Sequence, residues 1–256
     1  MRILCVIPVR GGSKGVPGKN KRPIAGKPLV VWTIEQALAA RPRMDVVVST
    51  DDPELARIAR AAGAGVPFLR PAELAEDTTP TEPVIEHAIA ERTAAGRRPD
   101  AVMLLQATSP VRLPGTLDRS IAQFAATGVD SLVGTVPQTP FLWRHDATPH
   151  YDPANRPRRQ DLRDDEFFYR ETGSLYLTRT EVYEREHNRI GGRVGVFVMA
   201  DDEGVDIDTA ADFAVAEQQL LRLFGGQAGP PGNAAPPTAP TSPAAPASAP
   251  TPEPAP

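Results

Sequence analysis

The chain has 256 residues, of which 41% are hydrophobic, and a formal net charge of −4 at pH 7. This composition is ordinary for a globular protein with a buried core, and the acidic balance disfavours nucleic acid or an anionic membrane as a partner. No apolar run approaches a membrane span, and the run after Arg2 is too short for a secretory signal, so we expect a cytoplasmic protein. The single cysteine, Cys5, is expected to be a buried side chain.

The first predicted element is a strand over Ile3–Val9 that ends in a glycine-rich, cationic loop, residues 10–20. Such a loop after a β-branched strand is typical of α/β proteins that bind phosphate groups through backbone N–H groups. The glycines allow close approach of the backbone, while Arg10 and Lys19 supply positive charge. The expected ligand is therefore a polyphosphate, and a basic surface turn is the alternative interpretation.

The loop fits neither of two common phosphate-binding motifs. The Walker motif has four residues between its glycines and Ser or Thr after its Lys, whereas five residues separate Gly12 from Gly18 here and Asn20 follows Lys19. The glycines at 11, 12, 15 and 18 also miss the dinucleotide spacing G-x-G-x-x-G. The spacing thus argues against a P-loop NTPase or kinase.

Strand-like and helix-like segments alternate through the next part of the chain. Helices are predicted over about 28–40, 53–64, 82–95 and 115–126, with Asp52 as the cap of the second, and strands over 46–48, 101–105, 131–136 and 174–177. This alternation predicts an α/β fold with a mainly parallel sheet and helices on both faces. Ligands bind at the carboxyl ends of strands in such folds, where the turns 49–52 and 106–109 also lie.

Two segments break the alternation. Residues 138–173 are rich in Pro, Arg and Asp and contain aromatic residues, which predicts an insertion that packs on a neighbouring chain or, alternatively, a self-packed lid. Residues 226–256 form a Pro/Ala-rich tail in which Glu253 is the only charged residue, so we expect a disordered extension, or a tether for another protein. The predicted domain is 1–225.

Four segments in order resemble the acylneuraminate cytidylyltransferases, which make CMP-activated sialic acids. They are the loop 10–20 with 23–29, then 68–74, 104–112 and 205–209, and the resemblance extends over residues 1 to about 224. It implies a three-layer, Rossmann-like nucleotidyltransferase fold and a reaction between CTP and a 2-keto sugar acid with Mg²⁺. It also implies a homodimer, with 138–173 as a dimerisation element that reaches the neighbouring active site.

Asp206 and Asp208 are the predicted metal ligands. Magnesium prefers hard carboxylate oxygens, and in a strand the i, i+2 spacing places both carboxylates on one face while Ile207 points to the core. The alternative interpretation is that Asp208 only caps a helix that begins near Thr209. Either Asp208 or a metal-bound hydroxide would act as the general base for attack on the α-phosphorus of CTP.

The resemblance implies the remaining roles. Arg70 and Thr81 would recognise the cytosine and hold the nucleotide, although Arg70 could instead be a surface charge. Gln106 would bind the polyhydroxylated sugar, because an amide both donates and accepts hydrogen bonds. The implied nucleotide-binding residues are Arg10, Gly11, Ser13, Lys19, Asn20, Arg70 and Thr81, the implied catalytic residues are Arg10, Lys19 and Asp208, and the implied sugar-binding residues are Gln106, Arg159, Arg170 and Tyr176.

The sequence departs from the family pattern at two places. Ala107 replaces the proline that usually follows the sugar-reading glutamine, and Arg189-Ile190 stand where some relatives have two phenylalanines around an N-acetyl methyl group. An N-acyl sugar, a 5-hydroxy nonulosonate and a di-N-acyl relative all remain open as substrates. Alternative functions are a cytidylyltransferase for another ulosonic acid and, in a different class, a non-catalytic nucleotide-binding scaffold.

Overall fold

A computed structural model describes residues 1–12 and 15–225, so Ser13 and the predicted tail, 226–256, lie outside the described residues. The strands are β1 (Ile3–Pro8), β2 (Pro23–Ile24), β3 (Lys27–Pro28), β4 (Asp45–Ser49), β5 (Ala101–Leu104), β6 (Ser131–Gln138), β7 (Phe168–Arg179) and β8 (Val194–Val198). The helices are α1 (Leu29–Ala39), α2 (Pro53–Ala61), α3 (Thr81–Ala94), α4 (Thr116–Thr127), α5 (Thr180–Glu186) and α6 (Ala210–Phe224). Short 3-10 turns occupy Ala72–Leu74, Arg159–Asp161, Asp164–Glu166 and Asp201–Gly204.

The main sheet has six strands in the order β4-β1-β5-β7-β6-β8. β1 runs parallel to β4 and β5, and β6 runs parallel to β8, while β7 is antiparallel to both of its neighbours. The mainly parallel sheet predicted from the sequence is confirmed. Since β1, β4 and β5 are mutually parallel neighbours, the loops that follow them meet at one edge of the sheet.

Helices cover both faces of the sheet and give the predicted three layers. Cys5 and Ile7 of β1 point to the face covered by α1, α2 and α4, whereas Leu4 and Val6 point to the face covered by α3 and α5. This alternation follows from the period of two in a strand, and it makes β1 apolar on both sides. Cys5 is fully buried as expected, and burial raises the pKa of its thiol to about 12.

The start of α2 agrees with the sequence. Asp52 accepts hydrogen bonds from the backbone N–H groups of Glu54 (2.7 Å) and Leu55 (3.2 Å). Burial alone would raise the pKa of Asp52, but the hydrogen bonds from Lys21 and from these two amides outweigh it and lower the pKa. In the described part of the chain, no helix combines the length and apolarity that a membrane crossing requires.

The predicted insertion is shorter than expected at both ends. β6 continues to Gln138, which pairs with Phe168, so residues 168–173 form the first half of β7 rather than irregular chain. The sequence did not reveal this half of the strand, because its first four residues are all exposed and leave no buried face for a hydrophobic pattern to mark. Three aromatic residues in and next to the insertion are exposed, namely Trp143 (56%), Phe168 and Tyr169.

The acidic segment before α6, residues 205–208, is an extended loop. The strand expected for Asp206 to Asp208 is therefore wrong. Ile207 is nevertheless fully buried, and its N–H donates to the carbonyl of Thr108 at 2.9 Å, as inward orientation requires. Thr209, and not Asp208, is the cap of α6. The capping interpretation of Asp208 is therefore wrong, and its side chain is left for another role.

The cap of α6 is reciprocal. Thr209 Oγ1 accepts from the Asp212 N–H (3.2 Å), and the Asp212 carboxylate accepts from the Thr209 N–H (2.8 Å). The hydrogen bonds from the Thr209 hydroxyl and backbone lower the pKa of Asp212. This contribution to stability is therefore present above the ordinary pKa of an aspartate and is lost on acidification through the lowered pKa.

Replacing Thr209 with Ala should lower the free energy of unfolding by about 1 kcal/mol, because an orphan N–H at the helix start loses its acceptor. Urea unfolding followed by circular dichroism measures the change. Thr93→Ala is the matched control, since Thr93 is an exposed residue inside α3. Equal losses in the two variants would contradict the capping assignment.

Candidate active site

A cleft of about 420 Å³ opens at the carboxyl edge of β1 and β5. The cleft is lined by residues of the glycine-rich loop 10–20, here called the phosphate loop, and of the loop that precedes α3. The turn after β5 and the acidic segment before α6 also line it. Seven of the predicted site residues line it: Arg10, Lys19, Asn20, Arg70, Thr81, Gln106 and Asp208. Parts of the chain almost 200 residues apart therefore meet where the topology predicts a ligand site.

The phosphate loop lies directly against the acidic segment. Lys19 Nζ donates to the carbonyl oxygen of Ile207 at 2.5 Å. Gly15 packs so closely on the carbonyl oxygen of Asp208 that a Cβ at this position would overlap it. Gly15 is therefore needed here for close approach of two backbones rather than for a turn. The contact brings the Lys19 ammonium and the Asp208 carboxylate into the same cleft.

Carboxylates from two other loops hold the beginning of the phosphate loop. Arg10 forms an ion pair with Asp77 at 2.7 Å between Nη2 and Oδ1, and both side chains line the cleft. The Gly11 N–H donates to Asp51 Oδ1 at 3.1 Å. Nothing in the sequence marked Asp77 or Asp51 as partners of this loop, because both contacts depend on how loops from different strands meet. Gly11 itself is not part of the cleft wall.

Arg70 is buried, with 7% of its surface exposed, so the interpretation of it as a surface charge is wrong. Its guanidinium donates to the carbonyl oxygens of Val9 (3.0 Å), Ser49 and Leu74 (3.4 Å), and to Ser49 Oγ (3.2 Å). Burial lowers the pKa of Arg70 to about 10. Arg70 thus ties together the ends of β1 and β4 and the 3-10 turn beside the cleft. Its role toward cytosine stays a prediction.

Gln106 is held by its neighbours on two sides. The turn after β5 closes with a hydrogen bond from the Ser109 N–H to the Gln106 carbonyl (3.3 Å), so Ala107 is compatible with the turn. Gly173 of β7 has φ +71°, and a Cβ there would overlap Gln106 Oε1. Glycine is required at this position for its left-handed conformation and for the room that it leaves. The amide of Gln106 is thereby directed along the cleft wall.

The two aspartates have different surroundings. Asp206 Oδ1 accepts from Ser109 Oγ (3.2 Å) and from the Ile207 N–H (3.1 Å), which fixes its carboxylate at the turn after β5. Asp208 is exposed and lines the cleft. Within residues 1–12 and 15–225, no group of three or more His, Cys, Asp or Glu side chains could hold a metal by itself. Any magnesium bound here would need further oxygen ligands from a substrate or from water.

Tyr176 is buried on β7 and belongs to a polar cluster that the sequence did not reveal. Its hydroxyl donates to Glu171, and the Arg189 guanidinium lies 5.3 Å from its ring centroid. Arg189 also pairs with Glu82 at 2.6 Å. Burial and the hydrogen bond to Glu171 raise the pKa of Tyr176. The position at which some relatives have two phenylalanines therefore presents a charged, hydrogen-bonded surface.

Two predicted sugar-binding arginines are not in the cleft of their own chain. Arg159 lies on an exposed 3-10 turn of the insertion. Arg170 is exposed on β7 and donates to the carbonyl of Gly204 at 3.1 Å. The fold therefore brings together the predicted nucleotide and metal residues more completely than the predicted sugar residues.

Comparison with known proteins identifies the family. Residues 4–218 match the cytidylyltransferase family, which is more than half of the chain. The chain belongs to that family. Its fold is also similar to that of a CMP:2-keto-3-deoxy-manno-octonic acid synthetase solved with CTP, with a TM-score of 0.65 and 19% identity over 87% of this chain and 99% of that chain. At such low identity the likeness concerns the fold alone, and it agrees with the predicted α/β nucleotidyltransferase fold.

Two relatives of this chain are similar to it in sequence. N-acylneuraminate cytidylyltransferase A of Danio rerio is 35% identical over 229 residues, covering 86% of this chain and 51% of that protein. CMP-N,N'-diacetyllegionaminic acid synthase of Legionella pneumophila is 34% identical over 225 residues, covering 86% of this chain and 97% of that protein. The chain therefore spans about half the length of the first relative and nearly all of the second.

Replacing Arg70 with Lys should lower the free energy of unfolding by about 3 kcal/mol. A single ammonium cannot reach the four acceptors that the guanidinium fork serves, and each buried acceptor left without a donor is costly. Urea unfolding measures the loss. Arg57→Lys is the control, because Arg57 is exposed on α2 and should change stability little. If the free energy of unfolding falls no more than in the control, Arg70 does not hold these loops together.

Proposed function

We propose that this chain transfers a cytidylyl group from CTP to the anomeric 2-hydroxyl of a nonulosonic acid and releases pyrophosphate. The observation that carries the proposal is the cleft itself, in which the cations Arg10 and Lys19, the carboxylate Asp208 and the amide Gln106 lie together. The names of the relatives support it, since the Danio rerio protein is named for N-acylneuraminate and the Legionella pneumophila protein for diacetyllegionaminate.

The proposed reaction is a single in-line displacement. The sugar hydroxyl oxygen bonds to the α-phosphorus, the bond from that phosphorus to the bridging oxygen breaks, and pyrophosphate leaves with the electron pair. The proton of the attacking hydroxyl goes to a base, and Asp208 is an exposed carboxylate in the cleft to which we assign that role. The protein's contribution is positioning and charge stabilisation rather than covalent chemistry.

Arg10 and Lys19 would bind the triphosphate. Arg10 offers a planar fork of donors to phosphate oxygens, and Lys19 offers a point charge. Both cations already bind oxygen atoms of the chain, Arg10 at Asp77 and Lys19 at Ile207, at hydrogen-bonding distance. Phosphate oxygens would take the places of these internal acceptors. Charge that builds on the leaving pyrophosphate would then be stabilised by groups that are already oriented.

We further propose Mg²⁺ as the cofactor, held by Asp206 and Asp208. Magnesium usually binds through one or two carboxylates and completes its coordination with substrate phosphates and water. This mode of coordination fits Asp206 and Asp208, which are two residues apart and of which Asp208 lines the cleft. When bound, the ion would neutralise phosphate charge in the transition state.

We also propose a cytoplasmic homodimer, in which the insertion of one copy approaches the cleft of the other. The exposed positions of Arg159 and Arg170, outside the cleft of their own chain, support this arrangement, as do the exposed rings of Trp143 and Phe168. A guanidinium from this segment would pair with the carboxylate of the sugar acid. The cytoplasm is proposed because a CTP-consuming enzyme must work where CTP is held.

Pyrophosphate release with CTP and Mg²⁺ tests the proposal across a panel of nonulosonic acids that carry a hydroxyl, one acylamino group or two. We expect release with CTP and one class of acceptor, and none when ATP or GTP replaces CTP. An eight-carbon ulosonic acid serves as the comparison for acceptor length. Release of inorganic phosphate instead, or no binding of CTP, would overturn the proposed function.

Replacing Asp208 with Asn should reduce turnover by at least about 100-fold, because the amide can neither accept the proton nor bind magnesium as a carboxylate does. CTP binding, measured by calorimetry, should persist. Asp201→Asn is the matched control, since Asp201 is exposed on the turn before the acidic segment and outside the cleft. Full activity of the Asp208 variant would exclude it as base and as metal ligand.

A further inference from the structure

We infer that Arg112 is a positioning residue that holds Gln106. Gln106 marks the acceptor side of the cleft, where the sugar acid would bind. The inference rests on the proposed function, in which Gln106 binds the sugar acid. Arg112 follows the turn after β5 and is almost completely buried, with 2% of its surface exposed. It does not line the cleft that contains Gln106, so its action on the site would be through other groups.

The guanidinium of Arg112 joins two backbone segments that meet at Gln106. Its Nη2 donates to the carbonyl oxygen of Gln106 at 3.0 Å and to that of Ser174 at 2.5 Å. Ser174 directly follows Gly173, against which the Gln106 amide packs. One nitrogen therefore fixes both the backbone that carries Gln106 and the strand that bounds its side chain.

The other end of the guanidinium is anchored in α1. Arg112 Nη1 donates to Thr33 Oγ1 (3.2 Å) and Gln36 Oε1 (3.0 Å), and the Gln36 amide in turn donates to the Pro110 carbonyl (2.8 Å). These partners are hydroxyl, amide and carbonyl oxygens, which orient a cation but neutralise it less than a carboxylate would. The Nε atom is buried and has no hydrogen-bond partner. Burial lowers the pKa of Arg112 to about 10.

The cost of burying this cation points to a role in geometry. Taking a cation out of water costs free energy, and an apolar side chain in its place would remove a donor from each of the four oxygens that Arg112 binds. Only a planar fork of donors can reach carbonyl groups on two segments and side chains on a helix at once. Arg112 thus sets the spacing between the turn after β5 and β7.

The effect should be confined to the acceptor side of the site. Arg10 and Lys19 are held by Asp77 and Ile207, contacts in which Arg112 takes no part. Loss of the Arg112 fork should therefore displace Gln106 directly, whereas Arg10 keeps its contact with Asp77. Lys19 is linked to the turn after β5 only indirectly, through Ile207 and the Thr108 carbonyl. A misplacement of about 1 Å can lower a rate by about 100-fold.

The test compares Arg112→Met in the full chain with Arg92→Met. Arg92 is also a buried arginine, but it pairs with Asp45 away from Gln106. Three quantities are measured: the acceptor kcat/KM, the Kd of CTP, and the hydrogen-exchange rate of the Ser109 amide, which donates to the Gln106 carbonyl. We expect Arg112→Met to lower the acceptor kcat/KM by on the order of 100-fold, to leave the Kd of CTP within about twofold and to speed exchange at Ser109. The control should do none of these.

Parallel losses in CTP binding and acceptor kcat/KM would show a general structural role and overturn the inference. Unchanged exchange at Ser109 would overturn it whatever the activity. If Arg112→Met does not fold, Thr33→Val decides in its place, because it removes one anchor of the guanidinium and should give the same pattern with a smaller change. If the unsubstituted chain is inactive with every acceptor, the proposed function is refuted. Faster exchange of the Ser109 amide in Arg112→Met would then still support the positioning role.

Discussion

The cleft depends on the contact between the phosphate loop and the acidic segment before α6. Gly15 lies on the Asp208 carbonyl and Lys19 donates to the Ile207 carbonyl, so two parts of the chain that are far apart in sequence share one surface. The acidic segment is in turn attached to the turn after β5 through the Ile207 N–H and the Thr108 carbonyl. Cations, carboxylates and the Gln106 amide face the same space only because these contacts are made.

Buried arginines reinforce this arrangement. Arg70 binds carbonyl groups at the ends of β1 and β4, and Arg112 binds carbonyl groups of the turn after β5 and of β7. Each therefore adds side-chain hydrogen bonds where the pairing of two neighbouring strands ends. Burial lowers the pKa of both guanidinium groups to about 10, because it disfavours the charged form. Arginine serves here because its fork of donors can bind several oxygens in one plane.

The acceptor side of the cleft is less enclosed than the phosphate side. Gln106 is well fixed, but Arg159 and Arg170 are exposed and directed elsewhere in their own chain. The cluster of Glu82, Tyr176 and Arg189 is charged and hydrogen-bonded, whereas an acyl methyl group needs apolar surroundings. In the proposed function, an acceptor whose acyl group reached this cluster would meet charged and hydrogen-bonded side chains.

The sequence by itself determined the layers, the mainly parallel sheet and the edge at which the site lies, because hydrophobic period and turn residues are local properties. It also named seven of the residues that line the cleft, through the glycine-rich loop and the ordered motifs. It misjudged residues 206–208 as a strand, because an apolar Ile207 between two aspartates imitates strand alternation. It missed the strand at 168–173, because the first four residues there are all exposed and show no alternation. Only the tertiary structure decided the pairing of Arg10 with Asp77, the bridge formed by Arg112 and the need for glycine at 173. Those contacts join residues that are distant in sequence, and their distances depend on packing that no local pattern records.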